Sequence, residues 1–320
     1  MLICDAILQN RYTRDAEVMD EGWDALRTDM REAHKFVLDR SLAAAADAIE
    51  AEQIEKVLSS CRVPFQNVWI ECLQADRPKF AAAPLAGGRE AMGITDLTQL
   101  TPIRKIKRIG MLIKTNPDSR SRFVASLIWS FPDDYCNASL MMLRADLEKL
   151  TDPGQPDELS NHLLSLPSPY YLKLFELVSK ANDGAGLDFE QSAAFRQVMK
   201  EAMADWAHEP QFWLGVLALL NCRNVAETKT VDVSGVNRAR AKRGRPLFAE
   251  HKILTLRLPA ARRAASSGNA DADRAAMRGH FVRGHFKERK TGLFYWSDFA
   301  RGDMSRMIHK TYKPMLKEDA

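Results

Sequence analysis

The chain has 320 residues, with 46 Lys/Arg against 42 Asp/Glu and 46% apolar residues. That length is ample for a large core, and that apolar share excludes a globally disordered or collagen-like chain. The net charge of +4 hides an asymmetry: residues 237–317 carry 20 Lys/Arg against 6 Asp/Glu, whereas residues 1–236 carry 26 against 34. A basic last third joined to an acidic body points to a polyanionic partner for that third.

Residues 15–59 read as helix, with Trp23, Leu26, Met30, Phe36 and Val37 at mixed three- and four-residue spacings and an Ala/Glu/Leu-rich stretch over 41–56. Pro64 marks a change of period, and Val68 to Leu73 is β-branched and aromatic, as a strand should be. Residues 74–102 hold Pro78, Pro84, Gly87, Gly88 and Gly93 and read as a long loop. Residues 109–115 and 123–131 form two more expected strands around a turn at Asn116-Pro117-Asp118-Ser119, and Asp133-Asp134 reads as turn chemistry.

From Thr151 the pattern becomes helical, with candidates at 157–166, 169–181, 188–208 and 210–221. The last is apolar on most sides, through Phe212, Trp213, Leu214, Val216, Leu217, Leu219 and Leu220, so it should be a central buried helix. Beyond Cys222 the chain turns basic. Residues 252–258 alternate as a strand, 259–273 are small and polar, and 277–287, 293–296 and 307–312 finish as expected strands. The expected architecture is α+β: an N-terminal helix plus a small antiparallel sheet (1–150), a central helical region (151–225) and a basic C-terminal β-rich module (226–320).

Five scattered cysteines, never in a C-x-x-C pair, are neither a disulfide framework nor a zinc site and read as buried, reduced thiols. The first residues lack the basic and apolar regions of a signal peptide, and the longest apolar run, Phe212 to Leu220, is too short to span a bilayer. The expectation is a cytoplasmic protein with no membrane partner. Nucleotide-loop, dinucleotide-binding, zinc-protease and nucleophile-elbow motifs are absent, and no cofactor is expected.

The chemistry-bearing residues lie in the basic third. Arg278-Gly279-His280-Phe281-Val282 is followed by Arg283-Gly284-His285-Phe286-Lys287, a near-duplication. Arginine offers a planar fork for phosphate, and histidine titrates near neutrality. On a regular strand an odd repeat turns the two histidines to opposite faces, giving half-sites Arg278/His280 and Arg283/His285/Lys287. A bulge at Gly284 would bring them together. Two histidines beside Arg283 suit metal-independent RNA cleavage, one as base on the 2′-hydroxyl and one as acid on the leaving oxygen. RNA binding and plain structural hydrogen bonding each suit them better than cleavage. No carboxylate or cysteine stands near them at metal-ligand spacing, so no metal is expected. A second basic run, Arg238, Arg240, Lys242, Arg243 and Arg245, suits salt-dependent, sequence-tolerant contact with phosphates as a loop or frayed helix. Phe281, Phe286, Phe294, Tyr295 and Trp296 interleave with these charges and are either core residues or stacking faces.

The pattern Arg278-x-His280-x-x-Arg283-Gly284-His285-Phe286, ahead of a strand holding Trp296, resembles the R-x-H-x-x-R-G-H-[WF]…W signature of a type V-A anti-CRISPR family and its phage-borne relatives. Residues 219–225, the basic run at 237–246 and the Val63-Pro64-Phe65-x-Asn67-Val68-Trp69-Ile70-Glu71 segment are similar to regions of the same relatives. The likeness covers about the last hundred residues best. It implies a phage or prophage protein of a bacterial cytoplasm that evades host defence by recognising a target polypeptide during synthesis, its mRNA, or both, and lowers target production. Arg278, His280, Arg283 and His285 carry over; Phe286 stands where tryptophan is common, and no target is named. The alternatives are a ribonuclease using His280 and His285, and a non-enzymatic phage adaptor or structural protein.

Overall fold

The computed structural model describes residues 1–11, 20–77, 106–148, 163–171, 209–256, 280–282, 284–296 and 299–301. In chain order these give α1 (Ile3–Leu8), α2 (Asp20–Glu32), β1 (His34–Leu38), α3 (Arg40–Ala48), α4 (Ala51–Leu58), β2 (Asn67–Leu73), β3 (Arg108–Asn116), β4 (Ser119–Ser130), β5 (Cys136–Asp146) and β6 (Leu163–Pro167). They continue with α5 (Glu209–Leu220), β7 (Ala226–Val231), α6 (Ser234–Ala241), β8 (His251–Leu256), β9 (His280–Val282), β10 (His285–Arg289), β11 (Gly292–Trp296) and β12 (Phe299–Arg301). The class is α+β.

The first eight strands form one mixed sheet, in the order β6-β5-β4-β3-β2-β1-β8-β7. The expected sheet was small and antiparallel; the observed one has eight strands and two parallel pairings, β1 with β2 and β1 with β8. A parallel neighbour needs a crossover, and α3 and α4 supply it between β1 and β2. Strand β8 comes from the expected 226–320 segment and lies directly against β1 from the 1–150 segment.

Alternation along the strands sorts the core into two layers. Val68, Ile70, Cys72, Ile109, Met111, Ile113, Phe123 and Ala125 face the side covered by α3, α4 and α5. Trp69 and Leu112 face the other side, where Trp23, Leu26 and Met30 of α2 join Ile3 and Ile7 of α1. Helix α5 is buried nearly throughout, as its all-round apolar sequence requires. Gly215 lets it approach α3, since an added Cβ would sit 3.1 Å from the Ala46 carbonyl oxygen. Its start is pinned by a buried ion pair, in which Arg77 Nη1 donates to Glu209 at 2.9 and 3.0 Å while Trp213 donates to the same carboxylate.

Several expectations need correction. The helix expected over 15–59 is broken by β1, whose Phe36 and Leu38 point inward while His34 is exposed; a strand flanked on both sides in the sheet overrides local helical spacing. The chain at 163–167 is β6, paired with β5, and does not continue the helix expected over 157–166. Strands β5 and β7 stand where no strand was expected. The strand expected over 277–287 is interrupted between Val282 and His285, and its halves belong to separate two-stranded sheets. The expected elements at 188–208, 259–273 and 307–312, and most of those at 74–102 and 169–181, lie outside the described residues.

Glu71 organises the α1 layer. Its fully buried carboxylate accepts from the Ile3 and Cys4 amides at 2.9 and 3.2 Å, from Trp69 Nε1 at 2.9 Å and from Arg108 Nε at 2.8 Å. It therefore satisfies amides at the start of α1, which has no side-chain cap of its own. Gly110 leaves room for Trp69 beside it. Removing the carboxylate strands Arg108 in the interior, so Glu71→Ala should cost about 3–5 kcal/mol in urea unfolding. A loss below about 1 kcal/mol would contradict this role.

All five cysteines are buried and free. Burial raises every one of these thiols, with Cys61, Cys72 and Cys136 pushed up to about 12. The thiolate is the reactive form, so the folded protein at pH 8 should react negligibly with a thiol reagent, and denaturant should release all five. Rapid labelling of any thiol in the folded state would contradict the burial.

Candidate nucleic-acid interface

The β10–β11 hairpin docks on the core beyond α5. The Arg223 amide donates to the Leu293 carbonyl at 2.9 Å. The Asn224 side chain holds Tyr295 from both sides: Nδ2 donates to its carbonyl at 2.7 Å, and Oδ1 accepts from its amide at 3.0 Å. Leu293 and Tyr295 are buried in the layer of α3–α5, and Phe286 packs against it. Gly292, at φ +124°, closes the turn beside Arg223; a side chain is strained there.

With those residues facing inward, the register sends a different set outward. His285 pairs with Trp296, Lys287 with Phe294 and Arg289 with Gly292. Lys287 and Arg289 are exposed, and Trp296 is 40% exposed. The His285 and Trp296 rings are within 19° of parallel, with centroids 6.4 Å apart. Arg289 Cζ lies 5.5 Å from the Phe294 ring and 5.7 Å from the Trp296 ring, and Lys287 Nζ lies 5.9 Å from Trp296. A sheet face mixing flat rings with cations offers bases a stacking surface and phosphates a counter-charge.

The structure brings His285 and Lys287 together on this face, as equal parity required. Arg289 joins them; it was missed, although the same parity pointed to it. Phe294 and Trp296 serve the face, while Phe286 and Tyr295 are core. His280 lies on β9, opposite Arg301 of β12, in a different small sheet. Arg278 and Arg283 lie outside the described residues.

The second basic run is partly helical. Arg238 and Arg240 lie on α6, with Lys242, Arg243 and Arg245 just beyond it. Its return segment is tied to α1 through Ala249, whose amide donates to Asp5 Oδ1 at 2.7 Å. It is thus anchored on the α1 layer, whereas the hairpin is anchored on the α3–α5 layer. Lys35, His251 and Asp5 lie near this junction in structural roles. Lys35 donates to the Arg31 and Ala33 carbonyls at the end of α2, and His251 Nδ1 lies 3.1 Å from the Ala249 carbonyl. Among the described residues no group of three or more His, Cys, Asp or Glu could hold a metal ion, and no helix is long and apolar enough to cross a membrane.

Replacing Asn224 by alanine removes the side chain that bonds both the Tyr295 amide and its carbonyl. The hairpin amides should exchange at least about tenfold faster for a lost buried hydrogen-bond pair, while α5 keeps its protection. Unchanged exchange in β10 and β11 would show that Asn224 does not hold the hairpin. Comparison with protein-family models, with curated proteins and with solved structures finds no match to this chain.

Proposed function

We propose that this chain is a non-catalytic regulator of the anti-CRISPR type. Its outward hairpin face contacts single-stranded RNA, and its larger body serves recognition of a target polypeptide whose production it lowers. The observation that carries the RNA contact is the gathering of His285, Lys287 and Arg289 with Phe294 and Trp296 on one face of β10–β11. The polypeptide and regulatory part rests on the sequence resemblance, carried chiefly by the 278–286 motif. Binding is favoured over cleavage because the assembled face pairs one histidine with stacking rings and two cations, while the other histidine stands on a separate small sheet. RNA cleavage by a histidine pair needs a base and an acid on opposite sides of one phosphate.

The test is a titration of end-labelled single-stranded RNA in EDTA across a salt series. The wild type should shift the RNA intact, with affinity falling as salt rises. Trp296→Ala should weaken binding about 5- to 100-fold, the value of one stacked base, with the salt slope unchanged. The Lys287→Ala/Arg289→Ala pair should flatten the slope by about 1.4, two phosphate contacts on a single strand. Metal-independent cleavage that is lost in His280→Ala/His285→Ala would overturn the binding reading in favour of a ribonuclease. Absence of any shift at low salt would remove RNA from the account.

A further inference from the structure

The connection from β7 to β8 leaves the sheet edge and returns to it, carrying α6 outward on the way. No residue of α6 is buried, and residues 242–247 after it are all exposed. An eight-residue helix with no buried face does not hold itself in water, so something else must fix it. Asn237 does so from one side: its Nδ2 donates to the Phe248 carbonyl at 2.9 Å, and its Oδ1 accepts from the Phe248 amide at 2.8 Å.

Arg240 braces the other side. Its Nε donates to the Pro246 carbonyl at 2.5 Å, and its guanidinium lies 4.0 Å from the Phe248 ring centroid. The helix then closes on Gly244, at φ +60°, with the Arg245 amide donating to the Arg240 carbonyl and the Gly244 amide to the Ala241 carbonyl. That pairing is a Schellman turn, which glycine at positive φ favours. The sequence groups five like cations, but the structure divides them. Arg240 is spent inward, whereas Arg238, Lys242, Arg243 and Arg245 are exposed and make no ion pair with a described carboxylate.

We propose that this arm, residues 232–250, is a second and sequence-blind nucleic-acid element that grips the phosphate backbone through Arg238, Lys242, Arg243 and Arg245, with Arg240 as a positioning residue. The proposal rests on the RNA reading of the hairpin and extends it to a two-point contact. Stacking selects unpaired bases at one point, and charge alone acts at the other. Phosphate is the occupant that the geometry favours. The four exposed cations lie on the last turn of α6 and in the turn that follows it. The helix residues Ser234, Gly235, Ala239 and Ala241 are small and no described carboxylate pairs with the cations, which suits a chain of regularly spaced anions passing alongside.

The experiment is the salt dependence of binding to poly-uridine RNA by the full chain and its variants. Arg238→Ala/Lys242→Ala/Arg243→Ala/Arg245→Ala should flatten the slope of log K against log salt by about 3, the contribution of four single-strand phosphate contacts. A slope and affinity equal to wild type, with Trp296→Ala still weakening binding, would overturn the arm and leave the hairpin reading standing. Failure of the wild type to bind would overturn both. Displacement of the RNA by poly-glutamate as effectively as by unlabelled poly-uridine of equal charge would overturn nucleic acid as the occupant. For the brace, Arg240→Ala should speed amide exchange at 237–243 by about tenfold, the worth of one lost charge-assisted bond, and Arg238→Ala should not. Equal exchange in the two variants would overturn the positioning role.

Discussion

The layout of this protein depends on one short strand having parallel partners on both edges. β1 is five residues long, yet it lies between β2 on one side and β8 on the other. Each parallel pairing requires the chain to leave the sheet and cross back. Between β1 and β2 the crossing is α3–α4, which builds one helical layer. Between β1 and β8 it is everything from α3 to α6, so β8, from the last basic third, is tied into the same hydrogen-bonded sheet as the first forty residues. The basic elements are therefore built onto the sheet's own core.

Two buried charge centres fix the layers that this sheet carries. Glu71 gathers α1, Trp69 and Arg108 around one carboxylate. Arg77 and Glu209 join the end of β2 to the start of α5, with the Arg77 guanidinium 4.0 Å above the Phe212 ring. Buried pairs of this kind contribute little net stability but are costly to break, so they act mainly to select one arrangement of the layers. The positioned α5 then presents Arg223 and Asn224 to the hairpin. Once Tyr295 and Leu293 are drawn inward, the alternation of β11 leaves Phe294 and Trp296 facing out.

Part of this was readable from the residues. Strands β2, β3 and β4 follow from β-branched and aromatic runs, the turn at Asn116 from its Asx chemistry, and the burial of α5 from an apolar surface on all sides. Strand β1 was hidden because Phe36 and Val37 also fit a helical spacing, and its partner β8 lies more than 200 residues away. β5, with its Leu, Met, Ala and Arg, is made largely of good helix formers, and only its place between β4 and β6 makes it a strand. Of the candidate site, parity along 285–289 anticipated the shared face of His285 and Lys287. It did not anticipate that the duplicated Arg-Gly-His-Phe units would fall into two separate sheets, because that depends on partners β11 and β12. The inward turn of Arg240 was equally invisible, since a charge count cannot say which cation stacks on Phe248.

RNA contact by the outward face of the β10–β11 hairpin is tested by photocrosslinking to single-stranded RNA carrying 4-thiouridine, with the crosslinked peptides mapped. Crosslinks should concentrate on residues 285–296, above all at Trp296 and Phe294, and be lost when the salt is raised. Crosslinks confined to the α1–α5 surfaces, or none at all with RNA in excess, would contradict that contact.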